Sequence, residues 1–257
     1  AAMHDDPETA LNPNAWRGRM TPDQIRRART GYYGSISFID TQIGRLMNWL
    51  RRHPAIYSNT WILVTSDHGD MQGDHNLWRK TYAYEGSTRI PFLLVPPPTQ
   101  ARPARGLVDE VVELRDVMPT LLAVAGVPDP GTMDGENLLP LLERPDDAWR
   151  EYVHGEHCTC YSEEQEMQFV TDGRRKFIWL PRIGVEQFFD LESDPGECRN
   201  LIDAPAAADE VARWRGYLIA ELDQRDCGWV QDGKLHCPAD ALVSPYKTVR
   251  WQGNGST

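Results

Sequence analysis

The chain has 257 residues, of which 40% are hydrophobic, and it carries a formal net charge of −11. This length suits one large domain or a main domain with a smaller one attached, and the apolar fraction is sufficient for a packed core. The negative charge argues against a nucleic-acid or acidic-membrane partner, because phosphate groups attract a basic face. No apolar run reaches the roughly 18 residues that cross a bilayer, so we expect a soluble protein that does not enter a membrane.

A loop followed by a long helix is predicted at the start of the chain. The first 20 residues show neither a basic-then-apolar signal nor a strand pattern, so the compartment stays unknown, with the bacterial cytoplasm and periplasm as leading candidates. Thr21 and Gln24 form a capping-box pattern, and Pro22 suits the first helical position. Apolar residues at gaps of four and three then predict one face packed on a sheet, namely Tyr32, Ile36, Ile39, Ile43, Leu46 and Leu50.

Two short apolar runs, Trp61–Val64 and Ile90–Val95, predict strands. Unbroken runs of this kind are typical of strands buried on both faces, as in a parallel or mixed α/β sheet. The segment between them is a loop of more than 20 residues, and long loops inside compact domains are usually functional or disordered. Trp78, Tyr82 and Tyr84 argue against disorder, so this loop is the first candidate for a functional site.

A second helix is predicted after Asp116, which can act as its N-cap, and Gly126 is expected to close it. The buried side of this helix would comprise Leu114, Val117, Leu121 and Val124. From Glu151 onward four short segments alternate with turn residues, Asp172-Gly173 is a hairpin signal, and an Ala- and Glu-rich helix is expected at about 206–224.

The predicted fold is therefore α/β, with a mixed sheet flanked by helices and a small antiparallel sheet plus helix behind it. We place the main part at residues 1–148 and the smaller part, with an irregular tail, at 149–257. The chain has five cysteines, and a disulfide between Cys227 and Cys237 is one option because both lie in the tail.

Asp67 and His68 directly follow the first predicted strand, with Gly69 allowing a tight turn. Catalytic groups in open α/β sheets lie in loops beyond the carboxyl ends of strands. A carboxylate oxygen and an imidazole nitrogen suit a divalent metal such as Zn or Mn or, with more oxygen ligands, Ca. A turn that begins with an ordinary N-cap would produce the same residues, so the spacing alone leaves both interpretations open.

The longer motif resembles the sulfatases, within the alkaline phosphatase superfamily. The stretch from Ser66 to Phe92, "SDHGDMQGDHNLWRKTYAYEGSTRIPF", is similar to the C-terminal half-site of that family. Further segments are similar to its other parts and extend the resemblance to about Gln224: "YYGSISFIDTQIGRLMNWL", "LRDVMPTLLAVAG", "DGENLLPLL", "DGRRKFIWLP" and "EQFFDLESDPGECRNL". The resemblance implies an alkaline-phosphatase-like fold, of which this chain holds the C-terminal part.

The resemblance also implies roles for four residues of the loop. Asp67 and His68 would be ligands of one divalent cation, which is Ca in most sulfatases, with Mn, Mg or Zn as alternatives. Lys80 would bind an oxygen of the sulfate or phosphoryl group and offset charge in the transition state, and is thus both a substrate-binding and a catalytic candidate. His75 would either orient the loop or act catalytically near the leaving group.

Many sulfatases carry Asn where this chain has His68, and the Asp-His pair is similar to that of the phosphonate monoester hydrolases. A phosphonate monoester or phosphodiester substrate is therefore the alternative to a sulfate ester. Glu85 and Arg89 are expected to form an ion pair that shapes the loop. His154 and His157, at the start of the small sheet, would either line the substrate cleft or belong to an edge strand.

The chain departs from the family pattern in lacking the nucleophile. Sulfatases form a formylglycine within a C/S-x-P/A-x-R motif, and no Cys or Ser here lies in that context. Three explanations stay open: a processed enzyme whose N-terminal half is a separate polypeptide, a partial sequence, or a non-catalytic fragment or binding module. The leading hypothesis is a sulfuric ester hydrolase acting on a small-molecule or carbohydrate sulfate ester, completed by the missing N-terminal half.

Overall fold

The computed structural model describes residues 17–101, 103–104, 106–143, 148–158, 163–225 and 227–237. They form two compact units, one of residues 17–80 with 85–153 and one of 81–84 with 154–237. Helices and antiparallel sheets occur in both parts of the sequence, which confirms the α/β prediction. The domain boundary at 148/149 stays a prediction, and no described helix is long and apolar enough to cross a membrane.

The first unit contains most of the helices. Its elements, besides single turns at Asp74–Asn76 and Leu114–Asp116, are α1 (Pro22–Arg51), α2 (Pro54–Tyr57), β1 (Ile62–Thr65), α3 (Glu85–Thr88), β2 (Phe92–Val95), α4 (Val117–Val124) and α5 (Leu139–Glu143). The strands β1 and β2 pair antiparallel with Ile62 opposite Val95 and Thr65 opposite Phe92. The second strand starts two residues later than predicted, at Phe92, because Pro91 has no N–H to donate to a ladder.

The capping box that starts α1 is confirmed. The Gln24 backbone N–H donates to Thr21 Oγ1 at 3.3 Å, and the Thr21 N–H donates to Gln24 Oε1 at 2.8 Å. These two bonds satisfy donors that the first helical turn leaves without partners. A local signal of four residues thus predicted the start of a 30-residue helix.

The expected packing of the α1 stripe is wrong for this chain. Of the six apolar residues, only Leu50 is buried, while Tyr32, Ile36, Ile39, Ile43 and Leu46 are 37% to 58% exposed. The reason is one of length: 30 residues of helix extend about 45 Å, whereas a four-residue strand extends about 13 Å. The one sheet in the described part of this unit has two such strands. It is too small to cover the stripe.

Burial on both faces of the two strands is also not observed. β1 is half-buried along its length, and β2 alternates, with Leu93 53% and Val95 43% exposed. Alternating exposure means that one face of β2 is covered and the other is open.

Asp116 precedes α4 as predicted but does not cap it. Its fully buried carboxylate accepts hydrogen bonds from the backbone N–H groups of Glu113 and Glu136, each at 2.8 Å, and from Arg150 Nη2 at 2.6 Å. A buried carboxylate needs a cation and several donors to offset its lost hydration, and these partners supply them. The N-cap prediction is therefore replaced by a tertiary ion pair.

The predicted buried side of α4 is wrong in part, whereas its predicted end is confirmed. Leu114 is 39% and Leu121 42% exposed, and the buried residues are instead Pro119 and Thr120. Gly126 has a φ of +67° and follows the last turn of the helix, a conformation that glycine adopts without a steric penalty.

The second unit is built on a four-stranded sheet with the order β3-β4-β5-β6. Its elements, apart from single turns at Glu163–Gln165 and Pro205–Ala207, are β3 (Val153–His157), β4 (Met167–Thr171), β5 (Arg175–Leu180), β6 (Val185–Asp190), α6 (Ala208–Asp223), β7 (Val230–Gln231) and β8 (Lys234–Leu235). The four short segments and the helix predicted from sequence are confirmed. So is the Asp172-Gly173 hairpin, where Gly173 has a φ of +81°.

The core of this unit lies between the sheet and α6. The helix buries Val211, Trp214, Leu218 and Leu222. Phe177, Ile178 and Trp179 of β5 are also buried, and because successive strand residues point to opposite faces, both faces of β5 are covered. An ion pair joins Lys176 Nζ to Glu197 Oε1 at 2.9 Å, with the two side chains 0% and 2% exposed. Cys227 and Cys237 are both free thiols, so the disulfide option between them is not realised.

Candidate active site

Asp67 and His68 begin the loop that leaves the carboxyl end of β1. The His68 backbone N–H donates to Asp67 Oδ1 at 3.0 Å, and Asp67 Oδ2 lies 3.4 Å from His68 Nε2. The Asp67 side chain is 83% exposed and that of His68 40% exposed. The structure therefore brings an oxygen and a nitrogen donor together at an accessible position.

The orientation of the His68 ring follows from its other nitrogen. His68 Nδ1 lies 2.8 Å from the carbonyl oxygen of Gly69, which can only accept, so Nδ1 is the donor. In the neutral ring the lone pair is then on Nε2, the atom that faces Asp67. Fixing one nitrogen by a backbone carbonyl is the usual way in which a metal-binding histidine is oriented.

Gly69 is required by a close approach of two backbone segments. A Cβ at this position would lie 2.2 Å from the carbonyl oxygen of Gly86. The Gly69 N–H donates to the carbonyl of Ser87 at 2.8 Å, so the two segments are in direct contact. Any side chain here would separate them and displace the adjacent Asp67–His68 pair.

The loop folds back on itself like a distorted hairpin. Beyond the Gly69–Ser87 bond, the Met71 N–H donates to the Arg79 carbonyl at 2.7 Å, and the Gly73 N–H donates to the Leu77 carbonyl at 2.8 Å. Asp67 and His68 stand at the base of this hairpin and His75 at its tip. Lys80 follows the middle rung on the returning side.

The tip and return of the hairpin concentrate unusual backbone conformations. Five of the seven non-glycine residues with a left-handed backbone in the described ranges lie in this loop. Their φ angles are between 52° and 77°, and they are Gln72, His75, Asn76, Arg79 and Thr81. Each such residue costs about 1 kcal/mol or more, and the cost is highest for a β-branched residue such as Thr81. Clusters of this kind occur where function fixes the backbone.

The structure also shows the surroundings of Lys80 and His75. Both are half-buried, and the Lys80 ammonium makes no hydrogen bond or ion pair with any residue of the described ranges. His75 has a φ of 54°. The predicted roles of Lys80 in anion binding and of His75 in orienting the loop or acting near the leaving group stay predictions. The Glu85–Arg89 ion pair is confirmed, with 3.8 Å between its charged atoms.

His154 and His157 lie on β3, at the edge of the four-stranded sheet. His154 Nε2 is 2.8 Å from Gln168 Oε1, and its Nδ1 is 3.3 Å from Arg225 Nη2. Burial lowers the pKa of His154, and the positive charge of Arg225 lowers it further. The hydrogen bond to Gln168 acts in the opposite direction but is outweighed. The edge-strand alternative is the one that the structure supports.

The sequence did not reveal that four loop residues belong to the second unit. Tyr82, Ala83 and Tyr84 are 3% to 4% exposed, and Tyr84 Oη donates to Gln187 Oε1 at 3.1 Å. The Tyr84 ring also meets the Phe189 ring edge-on at 6.1 Å. The available signal was the pair of tyrosines in an otherwise polar loop.

A complete metal site is not present in the part of the chain that the structure describes. No group of three or more His, Cys, Asp or Glu side chains in those ranges could hold an ion. Asp67 and His68 form a two-donor pair, and their role as metal ligands stays a prediction.

Comparison with protein families gives two matches. The Sulfatase family model matches residues 3–127, and the model described as N-sulphoglucosamine sulphohydrolase, C-terminal, matches residues 73–224. The second match covers more than half of the chain and runs from the tip of the loop to the end of α6. Together the two models span both units.

Curated relatives and a solved structure agree with these matches. The chain is 41% identical to an arylsulfatase of Clostridium perfringens over 91% of its length and 32% identical to a choline-sulfatase of Rhizobium meliloti over 90%. A phosphonate monoester hydrolase from Silicibacter pomeroyi superposes with a TM-score of 0.69 at 29% identity, covering 81% of this chain and 44% of the other. The chain spans 48% and 42% of the two sulfatases, about half their length. It belongs to the sulfatase family of the alkaline phosphatase superfamily.

Proposed function

We propose that this chain supplies the metal-ligand half of an active site that hydrolyses sulfate esters. The observation that carries the proposal is the Asp67–His68 pair, with Oδ2 and Nε2 3.4 Å apart at the end of β1. The formylglycine nucleophile would come from the N-terminal half of the same enzyme, since no Cys or Ser of this sequence lies in the required motif.

The geometry of the pair fits one divalent cation. Asp67 Oδ2 and His68 Nε2 lie 3.4 Å apart, so one ion could contact both atoms. Such a cation would neutralise charge on the sulfate oxygens. Ca is our first choice, with Mn, Mg or Zn as alternatives, because the remaining ligands decide the selectivity.

Lys80 is proposed to bind the sulfate group. An ammonium group without a protein partner in the described ranges is available for an anion, and the Met71–Arg79 rung fixes the backbone directly before it. His75, at the loop tip, is proposed either to orient the loop or to approach the leaving group. In either role it acts from a left-handed backbone position that the tip holds.

The exposed stripe of α1 supports the proposed partner. Five apolar side chains that are 37% to 58% exposed along one helix face would be covered in a complete enzyme. The relatives are about twice as long as this chain. We therefore propose that the N-terminal half packs on this face and completes the sheet beside β1 and β2.

Two other functions are kept as alternatives. The Asp-His pair and the similarity to a phosphonate monoester hydrolase favour a phosphonate monoester or phosphodiester substrate as the second candidate. A non-catalytic fragment or binding module is the third, because the nucleophile is not part of this sequence.

The test compares substrates and metal content in the complete enzyme that contains this chain. We expect an aryl sulfate to be hydrolysed with a higher kcat/KM than a phosphonate monoester or a phosphodiester. The reverse order would favour the second candidate, and no hydrolysis together with no bound metal would favour the third.

Asp67→Asn should lose the metal, measured by mass spectrometry of the metal content, while the exposed control Asp203→Asn should retain it. Unchanged metal in Asp67→Asn would refute the ligand assignment.

A further inference from the structure

The tip of the loop is held from outside by the side chain of Arg29, on α1. Arg29 Nε donates to the backbone carbonyl of Gln72 at 2.9 Å, and Arg29 Nη2 lies 2.8 Å from Asp74 Oδ1. One planar guanidinium thus binds two points of the turn that contains His75. This two-point geometry is specific to arginine, because a lysine ammonium has no fixed fork.

The same face of α1 also carries Tyr32, which lies near the start of the loop. Tyr32 lies one helical turn after Arg29, and burial together with the nearby charge of Asp70 raises the pKa of its hydroxyl. On the other side of the tip, the Gly18 N–H donates to the carbonyl of Asn76 at 2.8 Å. The tip is therefore fixed at residues 72 and 74 by Arg29 and at residue 76 by the backbone before α1.

The contacts of Arg29 act on residues whose backbone is unfavourable by itself. Gln72 and His75 both have positive φ, at 52° and 54°. Asp70 Oδ1 accepts from the Gln72 N–H at 2.9 Å, but the Gln72 carbonyl depends on Arg29. Without the guanidinium, the turn would lose the contact that holds the Gln72 peptide in this orientation.

We propose that Arg29 is a positioning residue of the active site: it holds the loop tip in the conformation that places His75 and, through the Gly73–Leu77 and Met71–Arg79 rungs, Lys80. Arg29 touches neither substrate nor cation in this role. The inference rests on the proposed function, because it assigns Arg29 to the hydrolysis in which Lys80 takes part. It adds a residue outside the loop motif, 38 positions before Asp67.

The test uses Arg29→Met and Arg29→Lys in the complete enzyme, with Arg26→Met as the matched control. Arg26 is on the same helix, and within the described ranges its side chain pairs only with exposed Asp23, at 2.6 Å. In Arg29→Met we expect amide exchange in residues 70–78 to become about tenfold faster, with α1 unchanged. We also expect kcat to fall about tenfold and KM to rise by a smaller factor, because Lys80 binds the sulfate group and also offsets the charge that develops in the transition state.

Arg29→Lys should recover part of the loss, and Arg26→Met should match the wild type in both measurements. Unchanged exchange in the loop of Arg29→Met would overturn the inference, as would faster exchange there with an unchanged kcat. Faster exchange throughout α1 would show a general role in folding and would also overturn it. An inactive wild-type enzyme would instead contradict the proposed function, so the two failures are distinguishable.

Discussion

The helices α1 and α6 have the same kind of apolar pattern but opposite surroundings. In α6 the stripe Val211, Trp214, Leu218 and Leu222 is 0% to 4% exposed against the four-stranded sheet. In α1 five of the six stripe residues are 37% to 58% exposed. Helical periodicity therefore identifies an apolar face, but the segments around it decide whether that face is covered. The second unit covers the stripe of α6, whereas the described part of the first unit leaves the stripe of α1 exposed.

The largest expected effect is in the second unit, at the buried Lys176–Glu197 pair. Lys176→Met removes the ammonium group that offsets the buried Glu197 carboxylate and should reduce the free energy of unfolding by about 3–5 kcal/mol. Urea denaturation followed by circular dichroism measures the change. Arg26→Met, which removes an exposed ion pair, should cost less than about 1 kcal/mol. Equal losses in the two variants would contradict the assignment of this pair to the core.

Leucine and isoleucine truncations test the comparison of the two helices directly. Leu218→Ala should destabilise the second unit by about 2–5 kcal/mol, because it opens a cavity at a fully buried position. Ile39→Ala, at a position that is 55% exposed, should change the stability of this chain by less than about 1 kcal/mol. Adding the N-terminal half should make Ile39→Ala costly, and if it stays neutral there, the stripe is not the packing surface.

The contact of Tyr84 with the second unit should give a smaller effect. Tyr84→Phe keeps the edge-on ring contact with Phe189 but leaves buried Gln187 without this donor, which should cost about 1–2 kcal/mol. Thermal unfolding of the second unit, monitored by tryptophan fluorescence, measures the loss. Tyr33→Phe, on the exposed face of α1, is the matched control and should be neutral.

The smallest effect is a pH dependence from His154. Burial lowers the pKa of His154 below its ordinary 6.5, so the unfolded chain binds a proton that the folded one resists. The contribution to stability is present above the ordinary pKa and is lost as the pH falls through the lowered one. Urea midpoints between pH 5 and 7.5 should decrease toward acid, and His154→Gln should flatten this slope. An unchanged slope in the variant would assign the dependence to other groups.

Local signals in the sequence predicted local structure well. The capping box at Thr21, the hairpin at Asp172-Gly173 and the closing Gly126 depend on residues within a few positions of each other, and all three are confirmed. The candidate loop was also identifiable, because its length and flanking apolar runs are visible in one stretch. Gly69 suggested the turn, although its contact with Gly86 was not visible.

Interactions between distant segments could not be predicted in the same way. Asp116 was expected to cap a helix, but it binds Glu136 and Arg150, which lie 20 and 34 positions later. Arg29 gave no signal at all, since its partners Gln72 and Asp74 are 43 and 45 positions away. The exposure of the α1 stripe depends on which segments pack against it, and the periodicity of the helix does not contain that information. Each of these outcomes is decided by tertiary contacts rather than by local preference.

The position of Thr81–Tyr84 in the second unit limits how the protein can be divided into separately folded fragments. These residues belong to the second unit, although the rest of that unit starts 70 positions later, at His154. A polypeptide beginning at His154 would lack Tyr82 and Tyr84 and would leave Gln187 and Phe189 uncovered. The second unit is thus interleaved with the first in the gene. A single cut anywhere between residues 84 and 154 would therefore place Tyr82 and Tyr84 on a different fragment from the sheet that they cover.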